Sequence, residues 1–203
     1  MKKILQQPKR RNKSLTKEII LNTAENIFAK DGYHKTSMDK IAEKSGTSKG
    51  SIYFHFPSKE KLFCSLIDKL ANSLEQATIK KIDQKTNIVN QINTPLNTLF
   101  DLISKHKNLT KLVLTTSNIS SPIINEHLFN IHERFANFIK INLDKAIKDH
   151  SITSINTKIT AYAWLGAINE IIINWIHNDK NIPLETTLPE LRSLLLRSIG
   201  LVP

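Results

Sequence analysis

Apolar residues recur at three- and four-residue intervals along most of this chain, and no stretch alternates apolar with polar over a strand's length. The pattern predicts an all-α protein. Ile20, Ala24, Ile27 and Phe28 share one face of a helix starting near Thr16, with Glu18 in its opening turn. Asp31-Gly32 ends it, glycine supplying the left-handed residue that closes many helices. Met38, Ile41 and Ala42 predict a short second helix capped by Thr36 or Ser37, and Gly46 predicts a tight turn into a third from about Ser48 to His55. Pro57-Ser58 breaks the chain, and a long fourth helix runs from Lys59 to about Ile82.

The rest of the chain reads as longer helices: about 94–108, 109–117, 123–149, 156–177 and 188–199. The polar run "DQKTNIVNQIN" at 83–93 is the expected domain boundary. In "NTKITAYAWLGAINEIIINWIH", residues 156–177, apolar positions cover nearly the whole circumference. A helix of that kind is buried on all sides. Its outer side therefore predicts a homodimer, with Leu165, Ile168 and Ile172 meeting Leu191 and Leu195 of the last helix and their symmetry mates.

Charge sharpens the picture. The net charge is +11, and residues 1–63 carry fourteen lysines and arginines against six acids. Six of those cations lie in residues 1–13, which contain no acid and read as a flexible basic arm. Basic charge concentrated in one third of a chain predicts a polyanionic partner. A single cysteine, Cys64, allows no internal disulfide and fits a cytoplasmic protein. "MKKILQQPKRR" has no apolar segment behind it to make a signal peptide.

Three helices with a turn of a few residues between the second and third have the arithmetic of a helix-turn-helix, whose second helix lies in the DNA major groove. That explains "GTSKGSIYFHF", residues 46–56, where small polar residues and a glycine stand in place of good helix formers. Gly50 lets the backbone approach the bases, Lys49 and Ser51 reach base edges or phosphates, and Tyr53 and His55 donate to phosphates. Thr36, Ser37 and Lys59 place hydroxyls, a cation and free N–H groups at helix starts, where anions bind, and Thr47 and Ser48 complete the expected DNA-binding set.

The same residues carry a family resemblance. "AENIFAKDGYHKTSMDKIAEKSGTSKGSIYFHFPSKEKLF", Ala24 to Phe63, resembles the DNA-binding domain of the TetR family of bacterial repressors. The shared pieces are Phe28, Gly32-Tyr33, Thr36-Ser37, Ile41-Ala42, Gly46, Ser48-Lys49-Gly50, Ile52-Tyr53, His55-Phe56 and Lys59-Glu60, while Thr47 and Phe54 depart from the usual pattern. The resemblance implies a DNA-binding domain at 14–60, with its helix-turn-helix at about 36–55, and a ligand-binding and dimerisation domain at 61–203. It also implies a homodimer on a roughly palindromic operator, controlled by a small effector. The expected pocket walls are Phe100, Phe129, Phe135, Phe138, Trp164 and Trp175, and few charges face the core, so the effector should be apolar or amphipathic. "GAINEIIINWIHNDK", residues 166–180, resembles the matching part of acyl-CoA-responsive regulators of fatty acid degradation.

No pattern here calls for a cofactor or a catalytic site. There is no phosphate-cradling glycine loop and no Ser-His-Asp arrangement, and His127 and His132, five apart, do not share a helical face and make a poor metal pair. The competing expectation is a helical enzyme or membrane-surface protein whose basic N-terminus is incidental. Salt-dependent binding to duplex DNA separates the two.

Overall fold

A computed structural model describes residues 13–81, 87–114, 121–177 and 184–202. The basic arm expected at 1–13 lies outside them except for Lys13, as do parts of the expected boundary at 83–93 and of the helix at 109–117. Among the described residues there are nine helices and no strand. They are α1 (Lys13–Asp31), α2 (Met38–Ser45), α3 (Lys49–His55), α4 (Lys59–Lys81), α5 (Ile88–Lys105), α6 (Lys107–Leu114), α7 (Pro122–Lys148), α8 (Thr157–His177) and α9 (Leu184–Arg197). The chain forms two compact units that divide inside α4, between Leu66 and Ile67.

The first unit is built on the apolar face read above. Ile20, Ala24 and Phe28 of α1, Ile41 of α2, Ile52 of α3, and Leu62, Phe63 and Leu66 of α4 are all at most 5% exposed or fully buried, with Phe56 and Ala42 beside them. Phe28 stacks on Tyr33 and meets Phe63 edge-on, with ring centroids 5.7 and 5.5 Å apart. Burial in this aromatic group raises the Tyr33 phenol to about 12. The helix boundaries follow from capping. Ser37 and Ser48 each accept a hydrogen bond from an N–H of the first turn of α2 and α3. Gly46, at φ 61°, closes α2 while Thr47 N–H donates to the Ala42 carbonyl five residues back.

The second unit departs from expectation at two helix starts. α5 begins at Ile88, capped by the Asn87 side chain on Asn90 N–H, rather than near 94. Its first turns absorb most of the polar run read as a boundary, because Ile88, Val89, Ile92 and Leu96 supply an apolar face that packs in the core. The Thr94-Pro95 pair looks like a helix start, where proline costs nothing, yet Pro95 lies inside the helix. α9 likewise begins at Leu184, before the expected Leu188, with Pro189 inside it. Core residues come from α5, α7, α8 and α9, with α8 packed most extensively on α7.

The expected dimer contacts are corrected by this packing. Leu165, Ile168, Ile172, Leu191 and Leu195 are 1–8% exposed in the single chain, so nearly all of their surface is spent on their own core, with Leu195 only reaching the floor of a groove between α8 and α9. α8 is not enclosed on every side either. Ile159, Ala163, Gly166 and Glu170 lie on its exposed side, and Leu194 and Arg197 are exposed on α9.

Candidate DNA-binding face and effector cavity

In α3, buried Ile52 sets the inward direction, and Lys49, Gly50, Tyr53 and Phe54 lie on the exposed side. Tyr53 is 42% and Phe54 68% exposed, and Ser51 and His55 are half-buried at the flanks. Lys49 reaches back to Asp39 on α2, with Nζ 3.0 Å from a carboxylate oxygen. That bond holds the ammonium's pKa above its usual value. Both groups are exposed, so a phosphate can take the place of Asp39 at little cost.

Two of the expected DNA contacts are spent inside the unit instead. Thr36 is 2% exposed, and its hydroxyl donates to the Gly32 carbonyl at 2.8 Å. Lys59 Nζ donates to the carbonyls of Tyr33 and Thr36, both at 3.0 Å, and lies 4.4 Å over the Tyr33 ring. These two residues fasten the α1–α2 turn. A third, Thr47, is half-buried with its hydroxyl 2.8 Å from that of Ser45. Ser37 and Ser48 are exposed, each already capping its helix. Conversely, Phe54, which the sequence marked only as a departure from the family pattern, presents an exposed ring with the Lys13 ammonium 5.2 Å above it.

Gly50 has an ordinary φ, and a Cβ added there meets nothing within 4 Å. The fold therefore does not need glycine at this position. Gly50→Ala is expected to stabilise the folded protein by about 0.5–1 kcal/mol, because alanine favours helix. It is also expected to weaken operator binding, because the methyl holds α3 off the DNA. Urea denaturation and fluorescence anisotropy on the same variant check the two opposite signs.

The second unit holds an apolar cavity of about 200 Å³ walled by α4, α5, α7, α8 and α9. Leu74, Leu96, Leu99, Phe135, Phe138 and Trp164 give its character, and Gln91, Asn142 and Asn169 are among its few polar walls. Among the described residues the sole charged side chain in the wall is Glu75, and it is neutralised by Arg134. Arg134 donates through Nε and Nη2 to the two Glu75 oxygens, and Nη2 also donates to Asn72 Oδ1 at 2.8 Å. A second chamber of about 490 Å³ lies against α4, α6 and α7. It shares Leu74, Leu99, Phe135, Leu165, Asn169 and Ile172 with the first.

Three of the six expected pocket aromatics, Phe135, Phe138 and Trp164, line the first cavity. The others do not. Phe129 is 62% exposed on the outside of α7, Phe100 is packed into the core, and Trp175 lies on the core's edge under the Lys107 ammonium at 4.9 Å. Among the described residues no group of three or more His, Cys, Asp or Glu is placed to hold a metal ion. His127 Nε2 instead sits 3.0 Å from Asp68, and Cys64 is buried.

Residues 20–66, which contain this helix-turn-helix, match the signature of the bacterial regulatory proteins of the tetR family. The first unit thus carries the DNA-binding region of the TetR family. Its members are transcriptional regulators rather than enzymes, so the resemblance and the non-enzymatic expectation are both borne out. The likeness extends beyond the DNA-binding unit. A fatty acid metabolism regulator of Bacillus subtilis is 24% identical over 184 residues, 89% of this chain and 93% of its own. The fatty acid degradation regulator FadR of Bacillus halodurans shares the fold with a TM-score of 0.80 at 19% identity, over 91% of this chain and 96% of its own. FadR of Bacillus subtilis, solved in complex with stearoyl-CoA, gives 0.79 at 22% identity, over 92% and 99%. Over most of its length the chain is thus similar to DNA-binding transcriptional regulators. Among its described residues no helix is long and apolar enough to cross a membrane.

Proposed function

We propose that this regulator is a cytoplasmic homodimeric repressor that holds a palindromic operator with α3 and releases it when a long-chain acyl-CoA enters the second unit. The cavity carries this reading. Its wall is apolar and the one carboxylate among its described residues is already paired, so it favours a hydrocarbon chain and disfavours an anionic head group. The chain would lie inside, with the nucleotide and its phosphates outside in water. The stearoyl-CoA bound by the similar Bacillus subtilis protein supports the same ligand class. Lys49, Gly50, Ser51, Tyr53 and His55 form the proposed DNA face, with Ser37 and Ser48 at the helix starts beside it.

Anisotropy of a labelled operator, selected from random duplexes by the full-length protein, tests the reading. Saturated acyl-CoAs of graded length are expected to release it, with free CoA inert. Release by none of them would overturn the effector assignment and leave DNA binding in place.

For the dimer, the exposed side of α8 is the better surface. Ala163, Ala167, Leu194 and Arg197 line an open groove between α8 and α9, and Gly166 beside them has free space over its Cα. Small residues there let a second copy's helix come close. Gly166→Arg is expected to give a folded monomer, read as a halved mass by light scattering with unchanged helicity.

A further inference from the structure

We propose that Phe54 reads thymine in the operator, its ring packing against the 5-methyl group in the major groove. The inference rests on α3 being the recognition helix. At 100° per residue, Phe54 stands 200° around α3 from Ile52, the fully buried anchor of the helix. It therefore points almost directly away from the core, toward whatever α3 approaches. It is 68% exposed, more than any other aromatic side chain among the large exposed residues.

Its neighbours leave the approach open. Gly50, one turn earlier on the same side, has no side chain to hold the groove away, and its missing Cβ has no role inside the fold. The Lys13 ammonium 5.2 Å from the ring supplies a cation for the phosphates that flank such a contact. A phenyl ring has no donor or acceptor for a base edge or a phosphate. In the major groove, one base alone offers it an apolar partner, the methyl of thymine. Tyr53 and Lys49, on one flank, and Ser51 and His55, on the other, are left for phosphates and polar base edges.

Deoxyuridine isolates that methyl, because it keeps the pairing and removes only the C5 substituent. Each thymine of the selected operator is replaced in turn, and binding to the full-length protein is measured. One thymine per half-site is expected to lose about fourfold in affinity, the value of one buried methyl group. In Phe54→Ala overall affinity falls and that thymine-to-uracil difference disappears, while Phe54→Leu retains part of it. Since Phe54 is exposed, both variants should fold, and circular dichroism checks this. A wild-type protein indifferent to uracil at every thymine would overturn the proposal, as would a Phe54→Ala variant that keeps the full difference. Unchanged operator affinity in both Phe54→Ala and Tyr53→Ala would instead overturn the placement of α3 on the DNA.

Discussion

Lys59→Met is expected to lower the stability of the DNA-free protein by about 2–4 kcal/mol. The methionine keeps the side chain's length and loses only its ammonium. That ammonium donates to the carbonyls of Tyr33 and Thr36 and lies over the Tyr33 ring. Hydrogen bonds from a charged donor are worth about 1.5–3 kcal/mol each, and a partly wet carbonyl left behind recovers some of that from water. A unit of this size is marginal, with roughly 0.05–0.15 kcal/mol per residue to lose. The variant should therefore fail to bind DNA because its first unit is partly unfolded. Urea denaturation without DNA decides the matter. Unchanged stability, with weaker DNA binding and a shallower salt slope, would show Lys59 to be a phosphate ligand, as its place at a helix start implied.

Lys59 and Thr36 show where sequence reading reaches its limit. A threonine before a helix and a lysine at the start of the next look alike whether they face an anion or a carbonyl. Only the fold places Gly32 O within 2.8 Å of Thr36 and folds α4 back under the α1–α2 turn. The helix-turn-helix itself was legible because its signals are local. Serine caps, Gly46 and the apolar spacing of Ile41, Ala42 and Ile52 act within a few residues of one another.

The second unit was legible as helices but not as surfaces. Periodicity says that Leu165 and Leu195 are buried without saying by what, and they are covered by their own chain. Ala163 and Gly166, on the open side of α8, carry no strong signal because small residues score as neither core nor surface. Phe54 was legible as a departure from the family pattern, but its direction needed the position of Ile52 relative to the core. Phe129 erred the other way. An aromatic residue on an amphipathic helix reads as interior, yet it stands on the outer side of α7 at 62% exposure.

Leu99→Trp is expected to reduce acyl-CoA affinity by about 200-fold while leaving operator affinity within about twofold. Leu99 is half-buried on α5 and belongs to the walls of both chambers, where the first meets the second. A 150 Å³ apolar cavity accepts a benzene-sized guest, so the 200 Å³ chamber alone has room for about eight carbons, and the 490 Å³ chamber for about twenty. A stearoyl chain that enters the first chamber must therefore continue into the second. An indole at the junction would exclude about four methylenes, each worth about 0.8 kcal/mol, hence about 3 kcal/mol in all. Free space on both sides of Leu99 absorbs the larger ring, so the usual cost of overpacking is reduced. The effect should grow with chain length, since an octanoyl chain fits the first chamber and a stearoyl chain does not. Titration followed by the fluorescence of Trp164, which lines the first chamber, gives the comparison directly in the wild type. Calorimetry serves for the variant, whose added tryptophan confuses the optical signal. Equal losses for octanoyl- and stearoyl-CoA would mean that Leu99 does not stand between two connected chambers.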